Sequence, residues 1–112
     1  MKVIFVAGAY SGANAWEVER NVRVCEEASL LVSRLNGVPI CLNVMGRFWN
    51  GTLPYDHWIE AAKVLILRSD AVFLSSGWQV SSGVPKEIAF SEANNRPVLY
   101  TEAELRDYLA AA

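Results

Sequence analysis

Three short stretches of this sequence carry residue types that do chemistry. The first is Ser81-Ser82-Gly83-Val84-Pro85-Lys86-Glu87, which sets two hydroxyls, a glycine and a proline just ahead of a carboxylate. Proline suits the first turn of a helix, where its missing N–H costs nothing. The unpaired N–H groups of such a turn, with the hydroxyls of Ser81 and Ser82, make an anion site. The same residues also read as a plain capped helix start, with Ser82 as the cap and Glu87 favoured by the helix dipole. Spacing alone favours that plainer reading. The second stretch is Gly8-Ala9-Tyr10-Ser11-Gly12. Its glycines permit tight turning and close backbone approach to a ligand, and Tyr10 and Ser11 offer hydroxyls. The spacing is not G-x-G-x-x-G, so the dinucleotide fingerprint is absent. The third is aromatic: Tyr10, Phe48, Trp49 and Trp78 fall in loops where a planar ligand is gripped by stacking. Trp16 and Trp58 read as core or interface residues, and His57 as a solvated or capping residue.

These stretches need a scaffold, and the hydrophobic pattern supplies one. Val3 to Ala7 is an unbroken apolar run, which suits a strand covered on both faces. Asn14 and Glu17 form a capping-box-like start for a helix that carries Val18, Val22, Cys25, Ala28, Val32 and Leu35 at helical spacing and ends at Asn36-Gly37. Further strands expected at 38–42, 70–74 and 97–100 alternate with helices expected over about 54–68, from about Gly83 to Asn94, and after Thr101-Glu102-Ala103-Glu104. Pro39 places the second strand at an edge or at its own start. The alternation predicts one domain over residues 1–112, an α/β fold with a parallel sheet of four or five strands and helices on both faces. A ligand in such a fold sits beyond the carboxyl ends of the strands. Those ends carry Gly8–Gly12, Asn43–Thr52 and the loop from Ser75 to Gly83, which contains Gly77 and Trp78.

Composition limits the function. The 112 residues hold 10 Lys plus Arg against 12 Asp plus Glu, a net charge of −2, and the basic residues are scattered. Binding a nucleic acid polymer through charge alone needs a basic patch, so that class is disfavoured. No apolar stretch approaches the roughly 20 residues of a membrane span. Residues Met1 to Gly8 are too short for a signal h-region, so a cytoplasmic protein is expected. One histidine and two cysteines outside any C-x-x-C pattern leave little for a metal site, and none is expected. Cys25 and Cys41 read as buried free thiols, although a disulfide is compatible with the sequence.

Three segments, in order, resemble the nucleoside 2-deoxyribosyltransferase-like superfamily: Ile4–Gly12 (IFVAGAYSG), Asp70–Trp78 (DAVFLSSGW) and Ser81–Phe90 (SSGVPKEIAF). The resemblance spans Val3 to about Val98. It implies a flavodoxin-like sheet of order 2-1-3-4 and cleavage of the N-glycosidic bond of a nucleoside or nucleotide, by hydrolysis or base exchange, without a cofactor. The family's glutamate nucleophile matches Glu87. Where the transferases carry a carboxylate six residues earlier, this chain has Ser81, which looks more like the branch acting on nucleoside 5'-monophosphates. The resemblance further implies that Tyr10 and Ser11 line the sugar and phosphate pocket, with Tyr10 orienting Glu87 or the sugar, and position at the strand ends adds Gly8, Gly12, Trp49, Gly77, Trp78, Ser81, Ser82 and Gly83 to the expected pocket. It also implies a homo-oligomer. The chain departs from the family at Ala62, where an aspartate usually assists the departing base. A nucleotide-binding module without turnover, and a protein adaptor built on Phe48 and Trp49, are the alternatives.

Overall fold

A computed structural model describes residues 1–111. Each predicted strand forms. β1 (Val3–Ala7) pairs in parallel with β2 (Val38–Ile40) on one side and with β3 (Ala71–Leu74) on the other, and β3 pairs with β4 (Val98–Leu99). The sheet is four-stranded and all parallel, in the order β2-β1-β3-β4. This is the flavodoxin-like arrangement. Its helices are α1 (Ala15–Arg34), α2 (Leu42–Met45), α3 (Tyr55–Leu67), α4 (Val84–Ala93) and α5 (Glu102–Ala110).

Alternation along the central strands builds two cores. Ile4 and Val6 of β1, with Ala71 and Phe73 of β3, pack with Cys25, Ala28 and Val32 of α1 and Leu105 of α5. Phe5, Ala7, Val72 and Leu74 face the other way, onto Ala62 and Ile66 of α3 and Val84 of α4. Side chains two apart share a face of a strand, so one apolar run feeds both layers. All eight of these strand residues are buried.

The expected caps form. Asn14 Oδ1 accepts from Glu17 N at 2.9 Å, and Thr101 Oγ1 accepts from Glu104 N at 3.1 Å. α1 stops through the backbone of Asn36, which holds φ +68°. β1 spans its expected run, while β2, β3 and β4 are each shorter than expected. β2 ends at Ile40, because Cys41 opens the short helix α2, an element the sequence did not announce.

Asp70 joins the sheet from its amino end: its carboxylate accepts from Val3 N at 2.8 Å. Its role is to tie β1 to β3 far from the carboxyl ends.

Candidate functional site

The carboxyl ends of β1 and β3 are adjacent, while their outer partners lie on opposite sides, so strand order reverses between them. A cleft of about 440 Å³ opens there. Its floor is Phe5 to Gly8 of β1 and the turn that follows. One wall is the face of α3 bearing Tyr55, Trp58, Ile59 and Ala62; the other is the start of α4 with Ser81, Gly83 and Glu87. The segment from Leu42 to Leu53 crosses the mouth and contributes Asn43, Trp49 and Asn50.

Glu87 is the fourth residue of α4, and its N–H closes the first helical turn on Gly83 O at 3.1 Å. Its side chain is half-buried and makes no hydrogen bond or ion pair with any described residue. Burial raises the carboxyl from 4.5 to about 7, with a smaller contribution from negative charge at Cys25. A carboxyl desolvated without an ion-pair partner is the arrangement that lifts a carboxyl into the range useful for catalysis. Among the described lining residues Glu87 is the only carboxyl. Tyr10 and Tyr55 are the other titratable residues there, and among the described lining residues there is no Lys, Arg or His.

The start of α4 is arranged differently from the expectation. Ser81, not Ser82, supplies the cap. Ser81 Oγ accepts from Gly83 N at 3.2 Å and Val84 N at 3.3 Å. Those two N–H groups are therefore not free to hold an anion directly. Pro85 has none, and Lys86 and Glu87 donate theirs to Gly83 O. What remains at the cleft is the Ser81 hydroxyl proton, which no described acceptor takes, on an oxygen polarised by two helix-terminal donors. Ser82 lines the cleft but is exposed.

Tyr10 lines the cleft without meeting Glu87. Its hydroxyl donates to the carbonyls of Gly46 and Arg47, each at 3.2 Å, so it braces the crossing segment. Arg47 fastens the same segment to α1 by ion pairs with Glu19 and, at 3.3 Å, with Glu26. Asn43 completes the frame: its Nδ2 donates to Gly8 O at 3.0 Å and Ala9 O at 3.3 Å. Gly8 is required by packing. A Cβ there would collide with Ser75 Oγ and stand 2.9 Å from Cys25 Sγ.

Of the residues expected in the pocket, Gly8, Tyr10, Ser11, Trp49, Ser81, Ser82, Gly83 and Glu87 line this cleft. Three do not. Gly12 packs against Glu17, where a Cβ would stand 2.6 Å from that side chain's own Cβ. Gly77 and Trp78 line a separate cavity of about 490 Å³ beside α1, where Trp78 meets Tyr100 edge-on at 5.9 Å. Gly77 holds φ +76° in the turn before Trp78. Phe48 also points outward, 82% exposed beneath the Arg47 guanidinium. Trp16 is no core residue at 72% exposed.

The sequence reading missed Asn43, Tyr55 and Trp58 as site residues. Trp58 stacks on Trp49 with ring centroids 6.0 Å apart and planes 19° from parallel. Tyr55 spans the two walls: its hydroxyl lies where a Cβ on Gly83 would meet it at 2.9 Å, and Lys86 Nζ sits 5.6 Å from its ring centroid. A signal for them existed, since Tyr55, Trp58, Ile59 and Ala62 fall at the i, i+3, i+4, i+7 spacing of one helix face.

Cys25 and Cys41 are free and buried. The neighbouring Cys41 thiol lowers the Cys25 thiol toward about 7 and is itself raised; burial opposes the first shift and reinforces the second. Among the described residues no cluster of three His, Cys, Asp or Glu side chains could hold a metal ion, and no helix is long and apolar enough to cross a membrane.

The cleft lies at the switch point of a doubly wound α/β sheet, which is where such folds bind small ligands. A scan against known protein families finds no match for this chain, and a search of curated proteins finds none.

Proposed function

We propose that this protein binds a nucleoside 5'-monophosphate in the switch-point cleft and cleaves its N-glycosidic bond through Glu87. The observation that carries the reading is the placement of that lone, unpaired carboxyl at the end of the sheet, between an aromatic wall and a capped helix start. The sequence resemblance described above points to the same residue.

In this reading the base stacks against Trp58 or Trp49, and the phosphate accepts the free Ser81 proton. Glu87 attacks the anomeric carbon as the carbon–nitrogen bond lengthens, through an oxocarbenium-like state. A glycosyl ester forms on Glu87, and water or a second base resolves it. A carboxyl near pH 7 is divided between its two forms, so nucleophilic attack is favoured above that pH. Tyr10 acts as a positioning residue, holding the segment that carries Trp49. A cytoplasmic setting and self-association of the chain belong to the same proposal.

The second reading is a nucleotide-binding module without turnover. Ala62 favours it, because no second acid faces the leaving base. Incubation with a panel of nucleosides and their 5'-monophosphates, followed by chromatography for free base, separates the two. Base release that is lost in Glu87→Gln supports the enzyme. Thermal stabilisation by nucleotide without release supports the binder. Neither effect with any nucleotide overturns both.

A further inference from the structure

A glycosidic bond breaks with its electron pair on the base nitrogen, so a neutral purine or pyrimidine leaves as an anion unless it is protonated. General acid assistance to such a step contributes about 100- to 10,000-fold. This cleft holds one carboxyl, and a carboxylate attacking the anomeric carbon has no proton to give in the same step. The lining offers no alternative of suitable acidity. It contains no His, Lys or Arg; the Tyr10 hydroxyl is committed to Gly46 O and Arg47 O, and its acidity is weakened by burial. The α3 wall facing Glu87 presents the methyl group of Ala62, which is 3% exposed.

One class of base needs no proton. In a pyridinium nucleotide the ring nitrogen already carries a positive charge, and the electron pair of the breaking bond neutralises it. We infer that the substrate class of this cleft is a ribosyl pyridinium 5'-monophosphate, of which nicotinamide mononucleotide is the simplest probe. The inference rests on the glycosidase reading proposed above.

The rest of the cleft suits a cationic ring. Among the described lining residues the single formal charge is the Glu87 carboxylate; Lys86 lies outside the lining, with its Nζ 5.6 Å from the Tyr55 ring centroid. Trp49 and Trp58 lie nearly parallel and present indole faces at the wall. Indole is the best aromatic partner for a cation. The two rings are 6.0 Å apart at their centroids and stack on each other, so the pyridinium lies on an outer face of the pair.

The step balances without a co-reactant. The Glu87 carboxylate forms a bond to the anomeric carbon; the carbon–nitrogen bond breaks, and its pair converts the pyridinium to neutral pyridine. Water then attacks the anomeric carbon, the ester bond to Glu87 breaks, and the carboxylate is regenerated. The net products are ribose 5-phosphate, the neutral pyridine and one proton.

The test compares nicotinamide mononucleotide with inosine 5'-monophosphate on the full chain, each corrected by the rate with Glu87→Gln. The expected result is release of nicotinamide at least about 100-fold faster than release of hypoxanthine, as the absence of a general acid requires. Ala62→Asp serves as the second variant. It should raise the ratio of hypoxanthine release to nicotinamide release by about tenfold or more over the parent chain. Equal release of both bases by the parent chain would overturn the pyridinium inference and leave the glycosidase reading standing. Binding of both nucleotides, seen by thermal shift, with release of neither base would overturn both.

Discussion

Glu87 and Ala62 line one cleft from opposite walls, α4 and α3, and among the described lining residues Glu87 is the only carboxyl. The carboxyl is consequently set by burial and has no partner to share or donate a proton.

That arrangement has a measurable effect on folding. The folded-state value of Glu87 lies near 7 against 4.5 for the free group. Between those values the folded chain holds the proton more tightly than the unfolded chain, so stability falls as pH rises through the window and stays lowered above about 7. Full conversion of such a shift gives about 3 kcal/mol, and solvent at the cleft mouth reduces it to about 1–2 kcal/mol. Glu87→Gln removes this dependence. Urea titrations at pH 5 and pH 8.5 should show the variant close to the parent at the lower pH and more stable at the higher. A variant less stable at pH 8.5 would contradict the raised value.

Ser81 couples the phosphate to the helix. Ser81→Ala removes the acceptor of Gly83 N and Val84 N and should cost about 1 kcal/mol of stability. If its proton also holds a phosphate, the variant should weaken a 5'-monophosphate more than the matching nucleoside. Side-by-side calorimetric titrations on both proteins measure this; equal weakening would leave Ser81 a cap alone.

Tyr10→Phe deletes hydroxyl contacts to Gly46 and Arg47 while keeping the ring. Loss of about 0.5–1.5 kcal/mol is expected. Amide hydrogen exchange should quicken in the 43–53 segment, with the pH profile of base release unchanged. A shifted pH profile would instead show that Tyr10 acts on Glu87.

Gly8→Ala should be among the most damaging small substitutions. The added methyl meets the Ser75 hydroxyl and the Cys25 sulfur, both buried, in a place where two strands and α1 converge. Overpacking of this kind costs about 1–3 kcal/mol. A thermal melt within a degree of the parent would show that the β1–α1 turn relaxes freely.

Both thiols should titrate only after unfolding. Cys25 is fully buried and Cys41 nearly so, and they are unbridged. A thiol count in denaturant without reductant should find two, and a count on the native chain should find both slow. The lowered Cys25 value does not make it reactive, because a reagent cannot reach it.

The succession of strands and helices and their layering were legible because they follow from patterns that span whole elements, whereas the order 2-1-3-4 comes with the family resemblance. The unbroken run Val3–Ala7 requires cover on both faces, and the positions of Ile4 and Phe5 on opposite layers follow from the strand period. Position sets Glu87 and Ser81 at a helix start after a strand, but spacing alone favours a plain cap, and only the resemblance gives them a role. Direction within a loop was not legible. Trp78 and Trp49 look alike in sequence, yet Trp49 lines the cleft and Trp78 the separate cavity beside α1. Phe48 and Trp49 are neighbours, yet Trp49 stacks on Trp58 while Phe48 is 82% exposed. Trp58 was assigned to the core because apolar helix positions usually are buried; here the core-facing stripe of α3 runs past the end of the sheet, and its first turns face the cleft instead.

The sheet's two margins have a consequence for self-association of a different sort. β4 offers only two residues and β2 only three, one of them Pro39, which has no N–H to donate. A foreign strand laid along either margin would gain few backbone hydrogen bonds. The short outer strands therefore leave the long apolar runs of β1 and β3 enclosed, with no open edge on which a cross-β stack could nucleate while the chain stays folded.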